Sequence, residues 1–166
     1  MSLAKVKIPN TNFVYGELIP LELFDRYGDR ATRFLSLQLI EFTQNLREFF
    51  GKPMTINNKV FGGNWNYRGV RYIGCNVGTE MGEHYRGMAI DFNVQGLTDL
   101  EARQMLVDNY KELGVTIIED NHNGWVHCGF PIFYGHENDL AIFDMKTNAL
   151  VFLNDWEASK YKVKAG

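Results

Sequence analysis

Apolar residues recur at helical spacing in two stretches of the chain. Over residues 31–50, Leu35, Leu39, Phe42, Leu46 and Phe49 follow at steps of four and three, which places them on one face of a helix. Asp29 is positioned to cap its start, and Gly51 followed by Pro53 stops it. A second helix is predicted over residues 100–113. Thr98 and Glu101 form a Thr-x-x-Glu capping box ahead of it, and Gly114 sits just past its end. Ala102, Leu106, Tyr110 and Leu113 would face the core.

The rest of the pattern is that of short strands. Residues 54–56, 89–94, 115–119 and 125–128 are candidate strands. The turn-rich cluster 120–124 joins the last two as a hairpin, and residues 140–143 and 150–153 flank a second turn at 146–148. The order is helix, strand, long loop, strand, helix and two hairpins, which is α+β rather than a regular βαβ alternation. The long segment 57–82 is rich in Gly and aromatic residues, and a loop of that length in a compact domain tends to be functional. We read one domain: an N-terminal extension over residues 1–20, a main body over 21–135, and a C-terminal hairpin and tail over 136–166.

Composition narrows the function. The 166 residues suit a single domain, and 45% hydrophobic content supports a packed core. Seventeen Lys and Arg against 20 Asp and Glu give a net charge of -3, which argues against nucleic acid as a partner. No run of 18 apolar residues occurs, so membrane insertion is not expected. Met1-Ser2-Leu3 does not open a secretory signal peptide. Cys75 and Cys128 are expected to be small buried residues, and His136 structural or exposed.

Three residues have the chemistry of a metal site. His84 and Asp91 are seven residues apart, an odd separation that puts them on opposite faces of a continuous strand. Gly87 between them permits the bend that would bring both to one ion. His127 lies on the strand 125–128, whose alternation sends Cys128 to the other face. Two imidazoles and a carboxylate suit Zn²⁺ with a fourth position left for water.

The sequence from His84 to Asp91, His-Tyr-Arg-Gly-Met-Ala-Ile-Asp, resembles the Ser-x-His-x-x-Gly-x-Ala-x-Asp motif of the zinc D-alanyl-D-alanine carboxypeptidases. That family includes L-alanyl-D-glutamate endopeptidases and many phage endolysins. Trp125-Val126-His127 is similar to its second motif, Trp-x-His, and the resemblance covers roughly residues 21–130. It implies a small antiparallel sheet with flanking helices, as in hedgehog domains and D-Ala-D-Ala peptidases. It implies a zinc metallopeptidase with His84, Asp91 and His127 as ligands, hydrolysing peptidoglycan stem peptides as a carboxypeptidase or endopeptidase. It also implies an Arg ahead of the first His. Arg71 fits that register and Arg68 is the reserve, either one binding a substrate carboxylate or a developing oxyanion.

The chain departs from the family at three glycines. Gly82 replaces a Ser, and Gly124 and Gly129 stand where members carry acidic residues. For the general base, Glu119 is the first choice, with Asp120 and His122 as rivals. The departures leave an alternative: a non-catalytic, zinc-containing cell-wall-binding or virion structural module of the same fold. Action at the bacterial cell wall without a visible export signal suits a phage-encoded enzyme held in the cytoplasm until release.

Overall fold

The computed structural model describes residues 2–120 and 124–164. Its elements are α1 (Tyr15–Leu18), α2 (Leu21–Tyr27), α3 (Leu37–Phe50), β1 (Met54–Thr55), β2 (Ala89–Val94), α4 (Asp99–Leu113), β3 (Ile117–Glu119), β4 (Val126–Gly129), β5 (Leu140–Asp144), β6 (Ala149–Leu153) and α5 (Asp155–Ala158). The strands form one six-stranded sheet in the order β1-β2-β4-β3-β5-β6. Every pairing is antiparallel except β3 with β5. The fold is α+β, as expected, and the strands of both predicted hairpins pair antiparallel, with residues 121–123 of the first turn outside the described residues.

The first long helix starts later than its apolar spacing suggests. Residues Gly28–Phe34 wind as a 3₁₀ segment, Leu35 is extended, and α3 begins after Ser36. The Ser36 hydroxyl accepts from the Leu39 N–H at 3.1 Å, so Ser36 and not Asp29 is the cap. Gly51 ends the helix in the left-handed conformation. At α4 the capping box is as read: Glu101 N–H donates to the Thr98 hydroxyl, and Thr98 N–H to the Glu101 carboxylate.

Alternation along the strands sorts the sheet into two faces. Ile90 and Phe92 of β2, Val126 and Cys128 of β4 and Ile118 of β3 join the core with Leu39, Leu46, Leu106 and Val107 of α3 and α4. The Phe50 and Phe92 rings meet at a tilt of 54° with centroids 5.8 Å apart. Residues 1–20 contribute Ile8, Phe13, Leu18 and Ile19 to the same core. Cys75 and Cys128 are buried and unbridged. No helix among the described residues is long and apolar enough to cross a membrane.

One charged residue lies inside this core layer. Arg103 of α4 is 0% exposed, and its Nη2 donates to Asp99 Oδ2 at 2.7 Å. The same Asp99 oxygen accepts from the Gly124 N–H at 3.1 Å, so the pair ties the start of α4 to the turn ahead of β4. Asp99 keeps the Leu100 and Gly124 N–H groups when Arg103 is removed, so the cost lies below the roughly 3–5 kcal/mol of a buried charge left alone. Arg103→Ala should lower stability by about 1–3 kcal/mol in urea unfolding; a loss below about 1 kcal/mol would mean that the pair does not hold the start of α4.

Candidate metal centre

The opposite face of the sheet carries the polar constellation. Asp91 of β2 is the register partner of His127 of β4, so strand pairing alone places the two side by side. Ile90 and Cys128 form the adjacent pair and point into the core. His84 reaches the pair from the turn before β2. Gly87 has φ +66°, the left-handed backbone that the bend requires.

The three side chains are buried and close on one another. His84 Nε2 lies 3.1 Å from Asp91 Oδ1, and His127 Nδ1 lies 2.7 Å from the same oxygen. The two ring nitrogens are 3.2 Å apart. One ligand atom from each residue falls within 4.8 Å of the others, so the triad could hold a metal ion.

Hydrogen bonding fixes which nitrogen of His84 is free. Its Nδ1 is 2.7 Å from the Gly69 carbonyl, which can only accept, so Nδ1 carries the proton. In the neutral ring Nε2 is then a lone pair aimed at a carboxylate oxygen. Burial pushes the His84 pKa down, and the Asp91 charge offsets this only in part. That contact therefore holds no proton when the ring is neutral, and a cation between the three groups would relieve it. The donor set fits a metal on this ground.

The remaining charges act in opposite senses. Burial disfavours the Asp91 carboxylate, yet His84 and His127 outweigh it and hold its pKa well below the ordinary range. Burial also pushes His127 down, but its hydrogen bond to Asp91 and the nearby Glu119 and Asp91 charges leave its pKa raised.

Backbone contacts hold the long loop against this site. The Val70 N–H donates to the Leu18 carbonyl at 2.9 Å, and the Arg71 N–H donates to the His84 carbonyl at 3.0 Å. A Cβ on Gly69 would overlap the Leu18 carbonyl, so only glycine allows this approach. The N-terminal segment thus sets the carbonyl that fixes the His84 tautomer, a role with no side-chain signature in the sequence.

The predicted site residues separate clearly. Arg71 is at the site: its Nη2 donates to Asp91 Oδ2 at 2.9 Å and its Nε to the Tyr67 carbonyl at 2.8 Å. It also lines the cleft above the triad, but its direct partner is the candidate metal ligand. Arg68 is directed elsewhere. Its guanidinium stacks 3.6 Å from the Trp65 ring and donates to Asn93 Oδ1 at 2.6 Å, and burial pushes its pKa down. Glu119 is brought to the site, with Oε1 4.0 Å from His127 Nδ1. Asp120 is not: its carboxylate accepts from the Tyr161 hydroxyl and, at 3.1 Å, from the Lys164 N–H of the C-terminal tail. His122 lies outside the described residues. His136 is exposed, paired with Asp139 at 2.8 Å and stacked on Phe152.

A cleft of about 620 Å³ opens at the triad, lined by residues 77–79 and 81–83 together with Ile117, Glu119, Phe143 and Leu150. No family model matches the chain, and no curated protein or solved structure matches it.

Arg71 orients the carboxylate of a candidate ligand, and loss of such a partner typically weakens metal binding about 10- to 100-fold. Titration with Zn²⁺ should give one site per chain, weakened in that range by Arg71→Ala and abolished by His84→Ala. Affinity should fall as pH drops through the imidazole range, because both ligating nitrogens must be unprotonated. Wild-type protein that takes up no divalent ion at neutral pH would rule out the metal centre.

Proposed function

We propose that the chain hydrolyses a peptide bond in peptidoglycan stem peptides, using zinc held by His84, Asp91 and His127. The observation that carries the reading is the open triad: three buried donors at the floor of a cleft, with a carboxylate alongside. The two motifs that carry those donors resemble the zinc D-alanyl-D-alanine carboxypeptidases, which supplies the substrate class and the hedgehog-like peptidase fold as part of the proposal. Two imidazoles and one carboxylate with room for water form the donor set of catalytic rather than structural zinc sites. Zinc in such a site supplies Lewis acidity toward a carbonyl and lowers the pKa of a water.

The chain's own residues divide the remaining work. Glu119 is on the strand next to His127, close enough to take a proton from the attacking water at its carboxylate and return it to the leaving amine. Arg71 holds Asp91 in its ligating orientation through Oδ2, leaving Oδ1 toward the two imidazoles. Gly69 keeps His84 Nε2 directed inward by accepting from Nδ1. A wall substrate places the activity at the bacterial cell wall.

Zinc-loaded protein incubated with pentapeptide-terminated and crosslinked muropeptides should release products visible by mass spectrometry, and chelation should stop the release. Glu119→Gln should lower kcat by about 10²- to 10⁴-fold with zinc content unchanged. Full zinc occupancy with both muropeptides left intact would overturn the hydrolase reading in favour of a non-catalytic wall-binding module.

A further inference from the structure

The register of the sheet continues the metal site into an apolar strip. Asp91 on β2 pairs with His127 on β4. The Ile118–Cys128 pair sets Glu119 of β3 beside His127. Glu119 pairs in turn with Phe143 of β5, and Phe143 with Leu150 of β6. Paired residues share a sheet face, so these five side chains form one row across five strands. The row begins with two metal-ligand candidates, passes the candidate base and ends in two apolar groups. All five line the same cleft, as do Ile117 and Met145 beside the apolar end.

The apolar end is open to a ligand. Leu150 is 39% exposed and Met145 49% exposed, and Phe143 is half-buried. Leu140, Ile142 and Leu153 on the face across from this row join the core, whereas Phe143 and Leu150 line the cleft on the side of the metal centre.

We infer that Phe143 and Leu150 form a specificity subsite for an aliphatic side chain of the substrate, about three residues along the peptide from the scissile bond. The inference rests on the metal centre proposed above, not on the identity of the wall substrate. Strands lie about 4.8 Å apart, which puts Phe143 about 10 Å and Leu150 about 14 Å from the strand of His127. An extended peptide advances about 3.3 Å per residue, so a chain crossing the strands reaches Phe143 with its third residue. Covering Leu150 and Phe143 with an aliphatic group removes apolar surface from water on both partners, which favours such a group over a polar one. Continuity with the metal site is what selects a substrate side chain as the occupant: a ligand anchored at His84, Asp91 and His127 lies in the same cleft.

The test reads binding, so it does not depend on turnover. The zinc-loaded full chain is titrated with the hydroxamates Leu-Gly-Gly-NHOH and Ser-Gly-Gly-NHOH. A reversed pair carries the hydroxamate on a succinyl cap ahead of Gly-Leu or Gly-Ser. In one of the two series the Leu compound should bind at least about tenfold tighter by calorimetry. Leu150→Ser should remove that preference while leaving zinc content and affinity for the Ser compound unchanged. Phe143→Ser, checked for cooperative unfolding, should do the same. Equal affinity for Leu and Ser in both series overturns the subsite, and so does a preference that survives both substitutions. If no hydroxamate binds the zinc-loaded chain the subsite is overturned, and if the chain takes up no zinc the metal centre fails and the subsite with it. Tight, Leu-selective binding without muropeptide cleavage supports the subsite and removes the wall substrate alone.

Discussion

A buried carboxylate sets the terms for everything around it. The Asp91 side chain is 8% exposed, and leaving its charge there without partners would cost several kcal/mol. Its two oxygens are met differently. Oδ2 takes a guanidinium, Arg71, from the long loop. Oδ1 faces two imidazoles, His84 from the turn before β2 and His127 from the paired strand β4. The loop between residues 57 and 88 delivers Arg71 and His84, β4 delivers His127, and both converge on one group. The asymmetry also matters chemically. Arg71 can stay on Oδ2 while Oδ1 and the two ring nitrogens turn to an ion, so metal uptake need not dismantle the shell that positions Asp91.

How much of this could be read from the chain depends on whether the causes were local. The faces of α3 and α4 were legible because periodicity is a property of neighbours, and so was the bend at Gly87. The candidate metal ligands were legible through the two motifs that resemble the zinc D-alanyl-D-alanine carboxypeptidases, since the spacing of His84, Gly87 and Asp91 does not by itself specify a site, and the fold brings them together with His127. The short helices α1, α2 and α5 were not, since four to seven residues are too few for a hydrophobic period to show. The parallel pairing of β3 with β5 was hidden for another reason: each strand looks like half of its own hairpin, and nothing local says which edges meet. The same ambiguity kept Asp120 in contention. Only the return of the C-terminal tail, with Tyr161 and Lys164 on its carboxylate, shows that it serves the tail and not the site.

Two of the three departures from the resembling family, Gly129 and Gly124, have a backbone cause. Gly129 sits where β4 meets the residue before β2: a Cβ there would stand 2.5 Å from the Met88 carbonyl and 3.0 Å from the Ala89 side chain. An acidic residue at 129 would push apart the strand pair that aligns Asp91 with His127. Gly124 has φ +78°, a left-handed conformation that any side chain would strain, and its N–H and carbonyl are held by Asp99 and the Asn93 side chain. At 129 a carboxylate would disturb the strand pair that assembles the triad, and at 124 it would meet the cost of the left-handed backbone. Glu119 stands one strand further out, on β3, where its register beside His127 comes from the same hairpin that brings His127 to Asp91. Close strand packing thus leaves no room for a side chain at Gly129 on β4, while β3 brings Glu119 beside His127.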